Sequence, residues 1–370
     1  MSFQSQTKFD VVGSFMPPET LSDADKALAE SKISQSEYTR IADNAVCHLI
    51  QMQLQAGLPT ITTGELKRKY WNKDFYFGLN GITREYIDTG HLYQPTDTYT
   101  DTIRLTGKIT YNSEHPFFED FLFLKDQVGH PDICRQTLPA PTELYNDILD
   151  MSEGVPDKIY SRSKHLIDDI AAAYRQTIRH FYDLGCRNIQ LDDTVFGRLC
   201  DKHFTKQLLQ GGIDLLKFHE DLIILFNLAL EEIPSDMNIS AYISAGDPAV
   251  PEWHTADASD MIMPKVLSGL YVDTFILPFN VNDPDSLEIL KYIPKDKHVA
   301  LGLMSVQSPC NDDSDAILTT VKYASRYIPA EHLSICPTGG FKLQAHTLLG
   351  LTFEDQWRKI ENLALIAGSM

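Results

Sequence analysis

Carboxylates and small polar residues stand where the short apolar runs of this chain stop. Ser14 follows FDVVG, Glu65 follows LPTITTG, and Asp192 and Asp193 close RNIQL. Ser244 and Asp247 come after NISAYI, Asn280 after DTFILPF, and Ser305 and Gln307 after HVALGLM. Cys336, Thr338, Gly339 and Gly340 stand at the end of HLSICP. A set dominated by carboxylates suits a cationic group such as the ammonium of an amino acid, and an ion pair in a water-poor cleft is stronger than one on a surface. Asp192-Asp193 is the sharpest signal, because neighbouring like charges at a buried strand end need compensation. Taken singly, each carboxylate is equally well read as a helix cap or a loop ion pair.

Metal chemistry needs thiolate, imidazole or carboxylate ligands gathered at one point. The histidines are scattered, and His48, His165, His180 and His219 fall in helical segments, where they read as packing or surface groups. The TGGF run at 338–341 offers backbone N–H groups to an anion but lacks the lysine and spacing of a phosphate loop.

The elements that must position these residues are eight apolar runs: 9–15, 58–65, 133–139, 187–193, 238–244, 273–279, 298–304 and 332–337. Between them lie stretches with apolar residues three and four apart, at 34–55, 162–184, 206–232 and 313–326. Eight strands alternating with helices predict an α/β fold, a closed (β/α)8 TIM barrel, with a doubly wound open sheet as the alternative. In a barrel the C-terminal strand ends converge on one site. Residues 66–132 exceed an ordinary connection and predict an excursion inserted after strand two. It carries an aromatic cluster (Tyr70, Trp71, Phe75, Tyr76, Phe77) and an alternating run at 102–110 that reads as a hairpin. Such a loop is expected above the barrel mouth, its aromatics lining substrate or a subunit contact. No linker or repeat divides the chain, so residues 1–370 read as one domain.

The chain has 370 residues, 43% of them hydrophobic, with 32 Lys and Arg against 51 Asp and Glu for a net charge of −19. That field repels phosphate backbones and anionic membranes, which predicts no nucleic-acid or membrane partner. Its six cysteines form no CxxC, residues 1–8 are polar, and the apolar run at 222–230 is broken by Asn227. Free thiols and a cytoplasmic location are expected.

Five segments resemble a known family in order: Val12-Gly13-Ser14-Phe15, Thr63-Gly64-Glu65, Leu138-Pro139-Ala140-Pro141, Gln190-Leu191-Asp192-Asp193 and Pro337-Thr338-Gly339-Gly340-Phe341. They resemble the catalytic barrel of cobalamin-independent methionine synthase. WNKDFYFGLNG at 71–81 and QLDDTVFGRLCD at 190–201 are similar to its short single-barrel relatives. The resemblance implies methyl transfer from a folate to the thiol of homocysteine, with zinc activating the sulfur. It implies that Ser14 reaches the substrate carboxylate, while Glu65 and Asp192 hold its ammonium.

The zinc ligands depart from the family. The positions matching its ligand set are Tyr242, Ser244, Pro278 and Gly339, none of which suits zinc. Gln307 stands opposite the family's acidic histidine, and Asp147 near its folate-stacking tryptophan. Cys336 is a displaced substitute ligand, but one thiol alone does not hold zinc. The sequence therefore predicts a methionine-synthase-like barrel acting on homocysteine or a similar small amino acid or thiol, with the zinc site lost. Asp193 and Ser244 join Ser14, Glu65 and Asp192 as substrate-binding residues, and Tyr242 and Gln307 stand as catalytic ones. No cofactor is expected, and zinc and a methylated folate enter only if the family reaction is kept. The alternatives are a non-catalytic binder of an amino acid or thiol, or a metal-free enzyme with changed chemistry.

Overall fold

A computed structural model describes residues 8–87, 100–151, 158–245, 259–342 and 350–370. Its largest sheet has six parallel strands in chain order: β3 (Arg135–Pro139), β4 (Asn188–Asp193), β5 (Asn238–Ile243), β6 (Thr274–Pro278), β7 (His298–Met304) and β8 (Leu333–Pro337). A second sheet pairs β1 (Asn80–Ile87) with β2 (Thr100–Thr110), antiparallel.

The circle closes through two short staves. Phe9 bridges Ile335 of β8, and Ile61 bridges Cys134 just before β3, both in parallel. Phe15 N–H donates to the Gly64 carbonyl at 3.0 Å, joining the two staves to each other. The fold is the (β/α)8 barrel expected, although the runs at 9–15 and 58–65 are single bridges rather than full strands. Gly13 and Gly64 have φ of +73° and +64°, and Pro59 lacks an N–H, so neither run can extend a ladder far.

Helices Gln35–Gln55, Ser163–Asp183 and Ser314–Ala324 occupy their predicted stretches. The single helix expected over 206–232 is instead two, Lys202–Gln210 and Leu215–Ala229. Gly212 at φ +77° breaks it, and the Asp214 carboxylate caps the second helix through the N–H groups of Leu216 and Lys217. Among the described residues no helix is long and apolar enough to cross a membrane.

The excursion does contain a hairpin, whose strand β2 packs on the outer helix Ser163–Asp183, while Arg68 near its start reaches Glu65 at the mouth. The aromatic cluster supplies the glue. Phe75 and Tyr76 are fully buried, and the Phe75 ring lies 5.1 Å from Tyr174 of that helix and 4.8 Å from His115. These two rings are core and are not available to a subunit contact. Lys73 Nζ donates to the Asp101 carbonyl at 2.7 Å, pinning the foot of β2 to the start of the excursion.

Candidate active site

Alternate residues of a strand face opposite sides, so each barrel strand sends one column of side chains inward. Val12, Ile276, Ala300 and Cys336 form a small buried cluster of their own, against which Tyr242 packs. Across from them, β3 and β4 contribute Arg135, Thr137, Gln190 and Asp192, all buried. The interior is thus apolar on the side of β6 to β8 and polar on the side of β3 and β4.

The polar side ends in two carboxylates. Glu65 is 5% exposed and Asp192 9% exposed. Glu65 Oε1 accepts from Thr137 Oγ1 at 2.6 Å and from Arg68 at 2.9 Å, and Arg68 also donates to the Thr137 carbonyl at 2.7 Å. Glu65 sits at φ +57° directly after Gly64. A left-handed backbone on a non-glycine costs roughly 1 kcal/mol, and strain of this kind concentrates at functional sites. Asp192 Oδ1 accepts from Gln190 Nε2 at 2.7 Å. Burial, and then the charge of Glu65, push the Asp192 carboxyl up to about 8, against the pull of Gln190, Arg68 and Arg135. Lys342 joins the group. Its Nζ donates to the Arg68 carbonyl at 2.6 Å, and burial lowers its pKa although Glu65 opposes this.

Asp193 has a different environment. Its Oδ2 accepts from Thr142 Oγ1 and its Oδ1 from the Phe196 N–H at 2.8 Å. Both oxygens are thus committed to the fold around the turn after β4, and the residue is fully buried. Burial and the neighbouring Glu143 push it up to about 7. Glu143 accepts from Thr194 Oγ1 at 2.8 Å and from the Val195 N–H at 3.1 Å. Asp147 belongs to helix Pro141–Met151, where Asn72 Nδ2 donates to it at 3.3 Å. Burial, then Glu143, raise it to about 7.

Ser14 is buried at the top of the first stave, and its carbonyl accepts from the Phe341 N–H at 2.7 Å. A Cβ on Gly340 would stand 2.7 Å from Ser14 N and 2.9 Å from Ser14 Oγ, so only glycine lets the two loops meet. Ser244 is buried, and its N–H donates to the Asp193 carbonyl at 3.2 Å.

Tyr242, Pro278 and Gly339 occupy the apolar side. The Tyr242 hydroxyl donates to the Thr338 carbonyl at 2.8 Å and stands 3.2 Å from where a Cβ on Gly339 would lie. The phenol thus fills the space that a side chain at 339 would need. A phenol, a serine, a proline and a glycine do not fit a zinc ion. Among the described residues no group of three or more His, Cys, Asp or Glu is placed to hold a metal. Cys336, read from the sequence as a mouth thiol, is instead sealed in the apolar cluster, where burial pushes its thiol well up and disfavours the thiolate. Among the described residues, the buried Gln307 Nε2 and Thr338 Oγ1, beyond β7 and β8, find no hydrogen-bonding partner. Asp247 lies outside the described residues.

Of the residues now seen around the carboxylates, sequence reasoning missed Arg68, Thr137, Gln190 and Lys342. Thr137 and Gln190 carried a signal, as polar residues at period two with a strand-end carboxylate.

The family model for the cobalamin-independent synthase catalytic domain matches residues 148–349, more than half of the chain. Among curated proteins, YxjH and YxjG of Bacillus subtilis, both of uncharacterised function, are 26% and 27% identical and align over 98% of this chain and 94% of their own length. A methionine synthase of Saccharolobus solfataricus is 21% identical over 90% of this chain and 87% of its own. Among solved structures, a putative vitamin-B12-independent methionine synthase from Listeria monocytogenes superposes with a TM-score of 0.75 at 26% identity, covering 97% of this chain and 96% of that one. A B12-independent methionine synthase from Shewanella sp. W3-18-1, solved with selenomethionine, shares the fold at TM-score 0.68 and 17% identity, over 98% and 97% of the two chains. The barrel, its strand-end carboxylates and the family match converge: this chain belongs to the cobalamin-independent methionine synthase catalytic-domain family.

Proposed function

We propose that this barrel binds homocysteine or a similar small amino acid or thiol, and acts on it without zinc as a divergent methyltransferase-family enzyme of the cytoplasm. The pair of buried carboxylates at the polar side of the mouth, Glu65 and Asp192, carries the reading. An ammonium seated between them gains a charge-assisted hydrogen bond from each. Ser14 then faces the substrate carboxylate, and its carbonyl accepts from the backbone N–H of Lys342 at 3.3 Å. The side chain of such a ligand extends toward the apolar half, where Tyr242 and the free amide nitrogen of Gln307 are the polar groups on offer.

In the family, bound zinc lowers the pKa of the substrate thiol. Here the donor set does not suit the metal, and an unassisted thiol near pKa 8.5 is only a few per cent ionised at neutral pH. Tyr242, whose hydroxyl now donates to the Thr338 carbonyl, is the candidate partner for that sulfur, and Gln307 stabilises by donation rather than by proton transfer. The proposal therefore expects slow methyl transfer or a changed reaction on the same amino-acid scaffold.

Calorimetry with L-homocysteine, L-methionine and the deaminated acid of methionine tests the binding. The amino acids should bind and the deaminated acid should not, and Asp192→Asn should abolish the difference. Equal binding of all three, or none by the amino acids, overturns the assignment. Methyl transfer from a methylated folate, measured with and without added zinc, tests the rest. Turnover that depends on zinc would return the ordinary family reaction and overturn the metal-free reading, and binding without any turnover would leave a non-catalytic binder.

A further inference from the structure

Beneath Asp192 a chain of hydrogen bonds runs down the polar half of the barrel. Gln190 Nε2 donates to Asp192 Oδ1 at 2.7 Å. Gln190 Oε1 accepts from an Arg135 NH group at 3.3 Å, and the same nitrogen lies 3.3 Å from the Val11 carbonyl. The other terminal nitrogen of Arg135 is ion-paired with Asp10. Asp10 and Arg135 also line a small polar cavity at the opposite end of the barrel, together with Lys8, His298 and His332. Gln190 is fully buried and Arg135 nearly so.

We propose that Arg135 and Gln190 are positioning residues for Asp192: the guanidinium dictates which end of the Gln190 amide faces the site carboxylate. The reason is chemical. A primary amide presents a carbonyl at one end and an NH2 at the other, and its shape alone does not choose between them. Arginine has five donors and no acceptor, so only the amide carbonyl can face it. The NH2 is thereby turned to Asp192, where it favours the ionised carboxylate that an ammonium requires. A reversed amide would set a carbonyl against that carboxylate and drive it to keep a proton. Asp10 completes the device by holding the guanidinium from the far side. This inference deepens the amino-acid reading and rests on it for the ligand, although its effect on Asp192 is measurable without any ligand.

The charged groups facing Asp192 are Glu65 and Arg68 from the second stave and its loop, and Arg135 from β3. Lys342 from the loop after β8 faces Glu65. On β5 the register partner is Tyr242, whose hydroxyl is turned to Thr338.

The test is carbon-13 NMR titration of the Asp192 carboxyl in unliganded protein labelled at aspartate, with Asp192→Asn identifying the signal. Gln190→Met keeps the approximate shape and removes the donor without adding a charge. Its Asp192 midpoint should rise by at least about one unit, a tenfold gain in proton affinity. Arg135→Lys preserves a donor-only partner and should keep the wild-type midpoint, whereas Arg135→Gln frees the amide to turn and should raise it by more than the same change made in the Gln190→Met protein, where only the lost charge acts. Should Gln190→Met fail to fold, Gln190→Leu takes its place. An unmoved midpoint in Gln190→Met, or an Arg135→Gln rise of the same size with and without Gln190, overturns the proposal and leaves the amide without an orienting role. If the midpoints move as expected while no amino acid binds the wild type, the relay stands and the ligand assignment fails.

Discussion

Asp192→Asn should make the protein more stable and less able to bind its ligand, and both effects follow from one buried carboxyl. In the folded chain that carboxyl is raised from an ordinary value of 3.8 to about 8, first by burial and then by Glu65. The unfolded chain releases the proton at the lower value and the folded chain holds it to the higher one. The stabilisation this gives is therefore fully present below the unfolded value and lost as pH rises through the folded one. Four units at 1.36 kcal/mol each set a ceiling of about 5–6 kcal/mol on the loss. Asparagine keeps an acceptor for Gln190 and cannot ionise, so it escapes that loss. Urea denaturation of both proteins between about pH 5 and pH 9 should show the variant's advantage widening steadily as pH rises. Calorimetry should show amino-acid affinity falling about 10–100-fold, the range for losing one charge-assisted hydrogen bond. A stability gap that does not change with pH, or a wild type that keeps full stability to the alkaline end, would refute the reasoning.

Gly340→Ala should cost about 1–3 kcal/mol by overpacking and loosen ligand binding as well, because its Cβ would stand 2.7 Å from Ser14 N; urea denaturation and calorimetry check both. Rebuilding the family donors together, as Tyr242→His, Ser244→Cys, Pro278→Glu and Gly339→Cys, should bring zinc into the purified protein at one equivalent, measured by elemental analysis, whereas Gly339→Cys alone should not, since Tyr242 already fills that space. His115 titrates in the opposite sense to Asp192. Burial lowers it from 6.5 to about 4, so its contribution is present at neutral pH and is lost as pH falls through that interval. His115→Gln should flatten the acid limb of the stability profile by up to about 3 kcal/mol, read by the same denaturation series.

The alternation of apolar runs and helical stretches made the barrel legible, because each strand had to be buried on both faces and each helix on one. The lengths of the first two staves were not legible. Their residue types suit strands, and the close approaches at the positive-φ glycines, Gly13 to Gly340 and Gly64 to the Leu49 and Phe15 side chains, are tertiary. Strand ends marked Glu65, Asp192 and Asp193 alike, and the family resemblance singled out Glu65 and Asp192 as a pair. Nothing local distinguished Asp192 from Asp193, and their roles part only through parity: Asp192 continues the inward column of Gln190, while Asp193 turns to Thr142 and the N–H of Phe196. Cys336 was misplaced for a related reason. It comes near the end of a run in the sequence, but in the barrel it is buried against Val12, Ile276 and Ala300. Arg68 stands three residues after Glu65 and carries an ordinary surface-residue signature, while only tertiary contact brings Lys342 to Glu65.

The contact between the loop at Gly13-Ser14 and the loop at Gly339-Gly340 joins the first stave to the end of the last strand. During synthesis the first loop waits for the second while every strand between them is made. Until the last stave emerges, the serine has no neighbour, Lys342 does not yet exist, and the carboxylates lie open to water. A small molecule that needs all of these groups together is therefore gripped in full only after the ring has shut.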